Sequence, residues 1–231
     1  MIMPDFSTFE KKIGYAFKGR RLLESAFTHR SYLNENRSPG REHNERLEFL
    51  GDAVLELVVT EFLYAKYPEK PEGDLTAYRA ALVNTISISD AATKLGMNEY
   101  LLLSRGESRD TGRARQIILA NAFEALIGAL YLDSGYNTAK DFIAKQLFHK
   151  TDEVVAKKLW QDAKSKLQEI SQELLGFTPT YEVVSQSGPD HDKKFVVAAH
   201  LGSDRVATGE GKSKQEAEQA AAEKALAAKG W

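Results

Sequence analysis

The sequence predicts two domains, an all-α domain over residues 1–150 and a small α+β domain over residues 162–231. Two observations support this division. Up to about residue 150 the apolar residues recur at helical spacing, and no alternating strand pattern occurs. From residue 162 onward, three short strand-like runs stand between two helical segments, in the order α-β-β-β-α. Residues 151–161, which lie between the two domains, have the character of a linker with some helical tendency.

The first domain is predicted to contain several helices joined by short loops. A helix-loop-helix over residues 6–27 is followed by a polar loop over 34–42 and by a long helix that ends near Pro68. The next helix is expected from about Leu75 to Gly96, where glycine suits a C-cap. The remaining predicted elements of this domain are a loop over 104–116 and helices over 117–132 and 137–148.

The second domain is predicted to begin with a helix over 162–175, with Leu167, Ile170 and Leu174 facing inward. The predicted strands cover 180–184, 194–200 and 205–210, and an alanine-rich helix covers 215–228. This domain holds nine Lys or Arg against eleven Asp or Glu, so it is not basic overall.

Composition limits the function classes. Hydrophobic residues make up 42% of the chain and charged residues 28%, as in folded globular proteins. The absence of Cys excludes disulfides and thiolate metal sites. No run approaches the ~18 apolar residues of a membrane span, and the N-terminus lacks the pattern of a signal peptide. We therefore expect a cytoplasmic protein without a membrane partner or a small-molecule cofactor.

Residues 43–58 are predicted to form a helix that is apolar almost all round and therefore buried. Glu45, Glu48 and Asp52 nevertheless lie in it at spacing i, i+3 and i+7, which places them along one stripe. Buried like charges repel and lose solvation unless a cation neutralises them. Oxygen-only ligands suit a hard divalent ion such as Mg²⁺. The alternative is a solvated acidic face without a ligand.

A second apolar helix, over residues 117–130, carries only two strongly polar side chains, Asn121 and Glu124, again at spacing i, i+3. Ala125, Gly128 and Ala129 are small, which suits close helix packing. The two helices are therefore candidates to face each other and to form one metal site between them.

Four sequence blocks resemble the ribonuclease III family. Glu45-Arg-Leu-Glu-Phe-Leu-Gly-Asp52 resembles the family signature, and three further blocks occur in the family's order. These are residues 28–34, 72–79 and 118–124. Residues 162–231 resemble a double-stranded-RNA-binding domain, because of the element order and the Gly209-Glu-Gly-Lys-Ser-Lys214 opening of the last helix.

The resemblance implies an Mg²⁺-dependent endoribonuclease that cuts double-stranded RNA, leaves short 3′ overhangs and processes ribosomal and other structured RNA. It also implies a homodimer, in which Phe49 inserts into the partner subunit; a core position for Phe49 is the alternative. The implied metal ligands are Glu48, Asp52, Asn121 and Glu124. The implied catalytic residues are Asp52 and Glu124, with Glu45 and Glu72 beside the site.

The same resemblance implies the RNA contacts of the second domain. Gln168 and Glu169 are expected at one minor groove and His191 at the next, with Lys212 and Lys214 on the phosphates between them. The family often has Lys where this chain has Gln215. In the first domain, the 104–116 loop with its four Arg is either a solvated loop or a strip that contacts phosphates.

One position departs from the family pattern. The family has Asp where this chain has Asn121. A non-catalytic, RNA-binding or structural relative with the same fold is therefore the alternative to the enzyme.

Overall fold

The computed structural model describes residues 3–36, 39–157, 160, 162–189 and 193–231. It divides into two compact units, Met1–Trp160 and Gln161–Trp231. The first unit is helical and the second has the order helix, three strands, helix, so the predicted fold class is confirmed.

The described part of the first unit consists of eight α-helices and three short 3₁₀ turns. Its one β-bridge joins Thr28 to Leu102. The helices are α1 (Phe6–Ile13), α2 (Arg20–Ala26), α3 (Arg30–Glu35), α4 (Glu45–Lys66), α5 (Glu72–Val83), α6 (Thr85–Lys94), α7 (Arg113–Leu147) and α8 (Thr151–Ala156). The 3₁₀ turns are Met97–Tyr100, Glu107–Arg109 and Phe148–Lys150.

Helices α4 and α7 pack against each other at the centre of the first unit. Leu55 and Val58 on α4 and Phe123 and Leu126 on α7 are fully shielded from solvent. Burial of such side chains stabilises the fold by about 1.5–3 kcal/mol each. The segment Arg113–Ala156 is long and apolar enough to cross a membrane, but 61% of its most apolar window is buried inside the fold, as in a core helix.

The single helix predicted from about Leu75 to Gly96 is wrong. The chain forms two helices there, because Asn84 has extended backbone angles and ends α5. The Asn84 side chain accepts a hydrogen bond from the Ser87 backbone N–H at 2.9 Å and so caps α6. Asn is among the residues that favour this N-cap role.

The predicted helices over 117–132 and 137–148 are joined in α7, which bends sharply at Gly135 (φ 81°). Only glycine adopts such a φ without strain. Just before the bend, Asp133 accepts hydrogen bonds from the backbone N–H groups of Lys18 and Gly19 and from the Tyr15 hydroxyl. The bend is thereby tied to the loop between α1 and α2.

The first unit extends further than the predicted boundary at residue 150. Thr151 is fully buried, and Val154 and Val155 pack against the core of this unit. The Trp160 ring meets the Tyr78 ring edge-on, with centroids 5.1 Å apart. The first part of the predicted 151–161 linker is therefore helix α8, and Trp160 still contacts the first unit.

The second unit is a three-stranded antiparallel sheet with two helices packed on it. Helix α10 lies very close to β3, since a Cβ atom at Gly209 would lie 2.1 Å from the Ala221 backbone nitrogen. This contact with the helix backbone needs glycine on the strand. The elements are α9 (Ala163–Leu175), β1 (Thr180–Ser187), β2 (Lys194–Leu201), β3 (Asp204–Gly211) and α10 (Lys214–Lys229).

Candidate active site

Two glycines set the distance between α4 and α7. A Cβ atom at Gly51 would lie 1.7 Å from the Glu124 carbonyl oxygen, and one at Gly128 would lie 2.2 Å from the Leu47 carbonyl oxygen. The two backbones are therefore in direct contact where the helices cross. Because Glu48 and Asp52 flank Gly51, this contact brings their carboxylates next to Glu124.

The electrostatics of the crossing are unfavourable for carboxylates. Burial, followed by the charges of Asp52, Glu48 and Glu56, raises the pKa of Glu124 to about 8. Burial also raises the pKa of Glu48, together with the charges of Glu45 and Asp52. These interactions are strong because a partly buried site screens charge poorly.

Asn121 is placed to interact with Glu48 across the helix crossing. The Asn121 amide partly offsets the rise in the pKa of Glu48. This effect shows that the Asn121 side chain lies near the Glu48 carboxylate. The structure thus brings together the four predicted ligand residues Glu48, Asp52, Asn121 and Glu124.

The donor set of these four residues consists of three carboxylates and one amide, all oxygen ligands, which fits a hard divalent cation. Among the residues described, no three acidic or histidine side chains already converge into a group that could hold a metal ion. The raised pKa of Glu124 is the observation that fits a cation, because a positive charge there would offset the repulsion that causes it.

Glu45 lies at the start of α4, beside this cluster, and is exposed. Its carboxylate is 3.5 Å from Arg30 Nη1 and 3.8 Å from His43 Nδ1. Sequence reasoning gave no role to Arg30 or His43. The contact of His43 with Glu45 could have been found in the sequence, since His43 precedes Glu45 by two residues. The contact of Arg30 is tertiary, because Arg30 lies on α3.

Glu72 lies outside the acidic cluster of its own chain. It begins α5 and accepts a hydrogen bond from the Thr76 hydroxyl at 2.8 Å. It lines a separate cavity of about 390 Å³ with Thr60, Leu63, Tyr64, Lys70, Leu75, Thr76 and Arg79. Thr60, which lines this cavity, follows Asp52 by eight residues on α4. The cavity is therefore roughly 12 Å from Asp52 along the helix axis.

The prediction that α4 is buried all round is wrong for one face. Phe49 is 82% exposed, and Leu57 and Tyr64 are 54% and 75% exposed. The alternative of a core position for Phe49 is therefore excluded. Because the buried face of α4 already packs on α7, the remaining apolar residues point to solvent within one chain.

In the second unit, the predicted RNA-contact residues lie on exposed surface. Gln168 and Glu169 are exposed on α9, and Lys212 and Lys214 are exposed at the start of α10. His191 lies outside the described residues. A cavity of about 930 Å³ separates α9 from the start of α10, and its lining includes Gln168, Ser213 and Gln215.

The start of α10 is capped by its own residues. The Ser213 side chain accepts from the Glu216 backbone N–H at 3.1 Å, and the Glu216 carboxylate accepts from the Lys212 backbone N–H at 2.9 Å. This arrangement resembles a capping box, except that Glu216 binds the backbone N–H of the residue before the N-cap. It fixes the backbone from which the Lys212 and Lys214 side chains project.

Comparisons with known proteins agree with this architecture. A family model described as Ribonuclease-III-like matches residues 19–151, and one described as Double-stranded RNA binding motif matches residues 163–229. The chain belongs to the ribonuclease III family.

Close relatives of the ribonuclease III family extend over nearly the full chain. Ribonuclease 3 of Nitratiruptor sp. is 43% identical over 97% of this chain and 96% of its own length. Ribonuclease 3 of Bdellovibrio bacteriovorus is 44% identical over 98% of this chain and 97% of its own. The ribonuclease III architecture thus identifies an endoribonuclease of double-stranded RNA, and double-stranded RNA is its partner.

A solved ribonuclease III structure matches the first unit. The nuclease domain from Campylobacter jejuni has 40% identity and a TM-score of 0.55, and covers 62% of this chain and 98% of its own. That structure is described in terms of flexibility in the region involved in dimer formation.

Proposed function

We propose that the chain hydrolyses phosphodiester bonds of double-stranded RNA at the crossing of α4 and α7, with Mg²⁺ as its cofactor. The observation that carries the proposal is the direct backbone contact of α4 and α7 at Gly51 and Gly128, which places the side chains of Glu48, Asp52 and Glu124 at one crossing; the raised pKa of Glu124 agrees with it. Glu48, Asp52 and Glu124 would hold the cation through carboxylate oxygens, and Asn121 through its amide oxygen. When bound, such a cation stabilises the negative charge that develops on the phosphate during hydrolysis.

The residues of the chain have separate parts in this proposal. Glu124 gives up its proton as the cation binds, since ligating carboxyl groups must be deprotonated. Glu45, held by Arg30 and His43, is placed to orient water or RNA beside the cluster.

We further propose a homodimer formed through the exposed apolar face of α4. Phe49, Leu57 and Tyr64 fall within one stripe of about 100° on this helix. Two copies of α4 related by a two-fold axis near Leu57 would run antiparallel, because a two-fold interface pairs the same patch on both subunits. Phe49 of each copy would then meet the cavity beside Tyr64 of the other.

This dimer also gives Glu72 a place in the site. Glu72 lines the cavity that Phe49 of the second copy would enter. Phe49 follows Glu48 directly, so the Glu72 of one copy would lie near the acidic cluster of the other. Two clusters in one dimer would cut the two RNA strands at staggered positions, which accounts for short 3′ overhangs.

Exposed basic residues support the proposed RNA contacts. Lys212 and Lys214 are exposed on the second unit. Arg105, Arg109 and Arg113 are exposed on the first unit, and their side chains make no hydrogen bond or ion pair with another described residue. We assign phosphate contacts to these five residues and minor-groove contacts to Gln168 and Glu169. The proposed substrates are ribosomal and other structured RNA in the cytoplasm.

Incubation of long duplex RNA with Mg²⁺ tests the proposal, with Glu124→Gln as the site variant. The matched control is Glu99→Gln, an exposed carboxylate of the same unit. We expect Glu124→Gln to lose more than the roughly 10–100-fold typical of residues that only support a metal ligand, with RNA binding retained. Cleavage by Glu124→Gln at the rate of the control would remove Glu124 from the active site.

A further inference from the structure

The loop over residues 104–112, between Leu103 and α7, has a compact, hydrogen-bonded fold. Its backbone turns back on itself, with the Ser108 N–H bonded to the Ser104 carbonyl at 3.0 Å and the Arg109 N–H to the Gly106 carbonyl at 3.2 Å. The Asp110 carboxylate accepts from the Gly112 N–H at 2.8 Å. These contacts define one shape for the loop.

Arg115 holds the C-terminal half of this loop from the first turn of α7. Its Nη2 donates to the Glu107 carbonyl at 2.7 Å, and its Nε donates to the Asp110 carbonyl at 3.1 Å. Its Nη1 donates to the Asn98 side-chain oxygen at 3.0 Å. Each of the three guanidinium nitrogens thus donates one hydrogen bond to an acceptor of the protein itself.

The N-terminal half of the loop is held by side chains of α3. The Ser104 backbone N–H donates to the Ser31 hydroxyl at 3.1 Å, and the Arg105 backbone N–H donates to the Glu35 carboxylate at 3.2 Å. The residues just before α3 contact the start of α4, since the Asn44 N–H donates to the Thr28 carbonyl at 2.9 Å. The loop therefore has a defined position relative to the acidic cluster.

Arg115 differs from the three other arginines of this region. It is partly buried, whereas Arg105, Arg109 and Arg113 are exposed. Three bonds in three directions need a planar, rigid fork of donors, which a lysine ammonium does not provide. The role of Arg115 thus depends on the geometry of its guanidinium group, which binds the loop's oxygen acceptors, and not on its positive charge alone.

We propose that Arg115 is a positioning residue, which holds the 104–112 loop in the shape that presents Arg105 and Arg109 to duplex RNA and does not itself bind phosphate. The inference rests on the proposed function, because the loop leads into the helix that carries Asn121 and Glu124. Arg113 and Asn121 are eight residues apart on α7, roughly 12 Å along its axis. A pre-formed loop lowers the ordering cost of RNA binding at this distance from the cluster.

The test compares Arg115→Lys, Arg115→Gln and the neighbouring Arg113→Gln, which removes the same charge without a loop contact. The first readout is amide hydrogen exchange of residues 108–112 in the RNA-free protein. We expect both Arg115 variants to speed this exchange about tenfold or more, since the loop loses two or three hydrogen bonds. Arg113→Gln should leave the exchange unchanged.

The second readout is KM and kcat for duplex RNA. Both Arg115 variants should raise KM by about tenfold with kcat changed less than about threefold, whereas Arg113→Gln should raise KM less. Asn98→Ala, which deletes one acceptor of Arg115 and no charge, should move exchange and KM in the same direction by a smaller factor.

The opposite results would overturn the proposal. If Arg115→Lys matches the unsubstituted protein in exchange and in KM while Arg115→Gln does not, Arg115 acts through its charge. If exchange is unchanged in every variant, Arg115 does not hold the loop. Failure of the unsubstituted protein to cut duplex RNA would refute the proposed function, whereas the exchange measurement would still decide whether Arg115 holds the loop.

Discussion

The carboxyl group of Glu124 shows how single residues set the chemistry of this protein. Its partly buried position, next to Asp52 and Glu48, raises its pKa from the ordinary value of 4.5 to about 8. In the cation-free protein it is therefore mostly protonated at neutral pH. The folded state consequently binds more protons than the unfolded chain between about pH 4.5 and pH 8.

This difference predicts a pH-dependent stability. As pH rises through that window, the cation-free protein should lose free energy of unfolding, on the order of 2 kcal/mol after allowance for solvent screening. The Glu124→Gln variant has no ionisable group at position 124, so it should lose less free energy of unfolding over the same pH range. Urea unfolding with a chelator at pH 5 and pH 8 measures both proteins. Equal losses in the two proteins would show that Glu124 has an ordinary pKa.

A second prediction concerns a substitution of Asn121. Asn121→Asp should lower the Mg²⁺ concentration needed for half-maximal cleavage, because a fourth carboxylate adds negative charge to the site. It should also lower cation-free stability by about 1 kcal/mol, since a carboxylate at position 121 would repel the neighbouring carboxylates of Glu48 and Glu124. Cleavage rates against Mg²⁺ concentration, for both proteins, are the measurement. Superimposable curves would contradict the role given to charge at this position.

At the scale of elements, the crossing of α4 and α7 depends on backbone contact. Gly51 costs about 1 kcal/mol of helix propensity relative to alanine, so its presence inside α4 needs a reason. The reason is the Glu124 carbonyl, 1.7 Å from where a Cβ atom would lie. The helices can meet only if both crossing positions are glycine.

Gly51→Ala should therefore destabilise the first unit by about 3 kcal/mol or more, because neither backbone can move aside cheaply. It should also reduce cleavage, since the separation of Glu48 from Glu124 changes. Gly73→Ala is the control: Gly73 lies within α5, and a Cβ atom there would meet nothing within 4 Å. Chemical unfolding of both variants distinguishes them. A Gly51→Ala protein as stable as the control would refute the close crossing.

At the scale of the whole molecule, the exposed apolar face of α4 predicts self-association. Phe49→Ala should weaken the proposed dimer by at least about tenfold, since a large apolar side chain near an interface centre contributes on the order of 2 kcal/mol. Ile86→Ala is the control, because Ile86 is 73% exposed on α6, outside this face. Sedimentation analysis across a range of concentrations gives both dissociation constants. Equal dissociation constants for the two variants would exclude Phe49 from the interface.

The sequence by itself determined the fold class and the family, and it predicted Glu48, Asp52 and Glu124 as members of one acidic site. Helical spacing, the strand runs after residue 162 and the motif around Glu48 and Asp52 are local patterns, which a reader can detect without a structure. The same local signals placed the ends of α9 and α10 within one or two residues, because capping residues mark them.

Local patterns failed where a partner distant in the sequence decides the outcome. Leu174 fits the inward stripe of α9 and yet is 60% exposed. The apolar face of α4 around Phe49 looked like core, although α7 covers only the opposite side.

Only the tertiary structure placed Glu72 away from the cluster of its own chain, and only it assigned Arg115 to the loop carbonyls. The physical reason is the same in each case. Hydrophobicity and charge follow from the residue, but exposure and hydrogen-bond partners follow from which elements pack together.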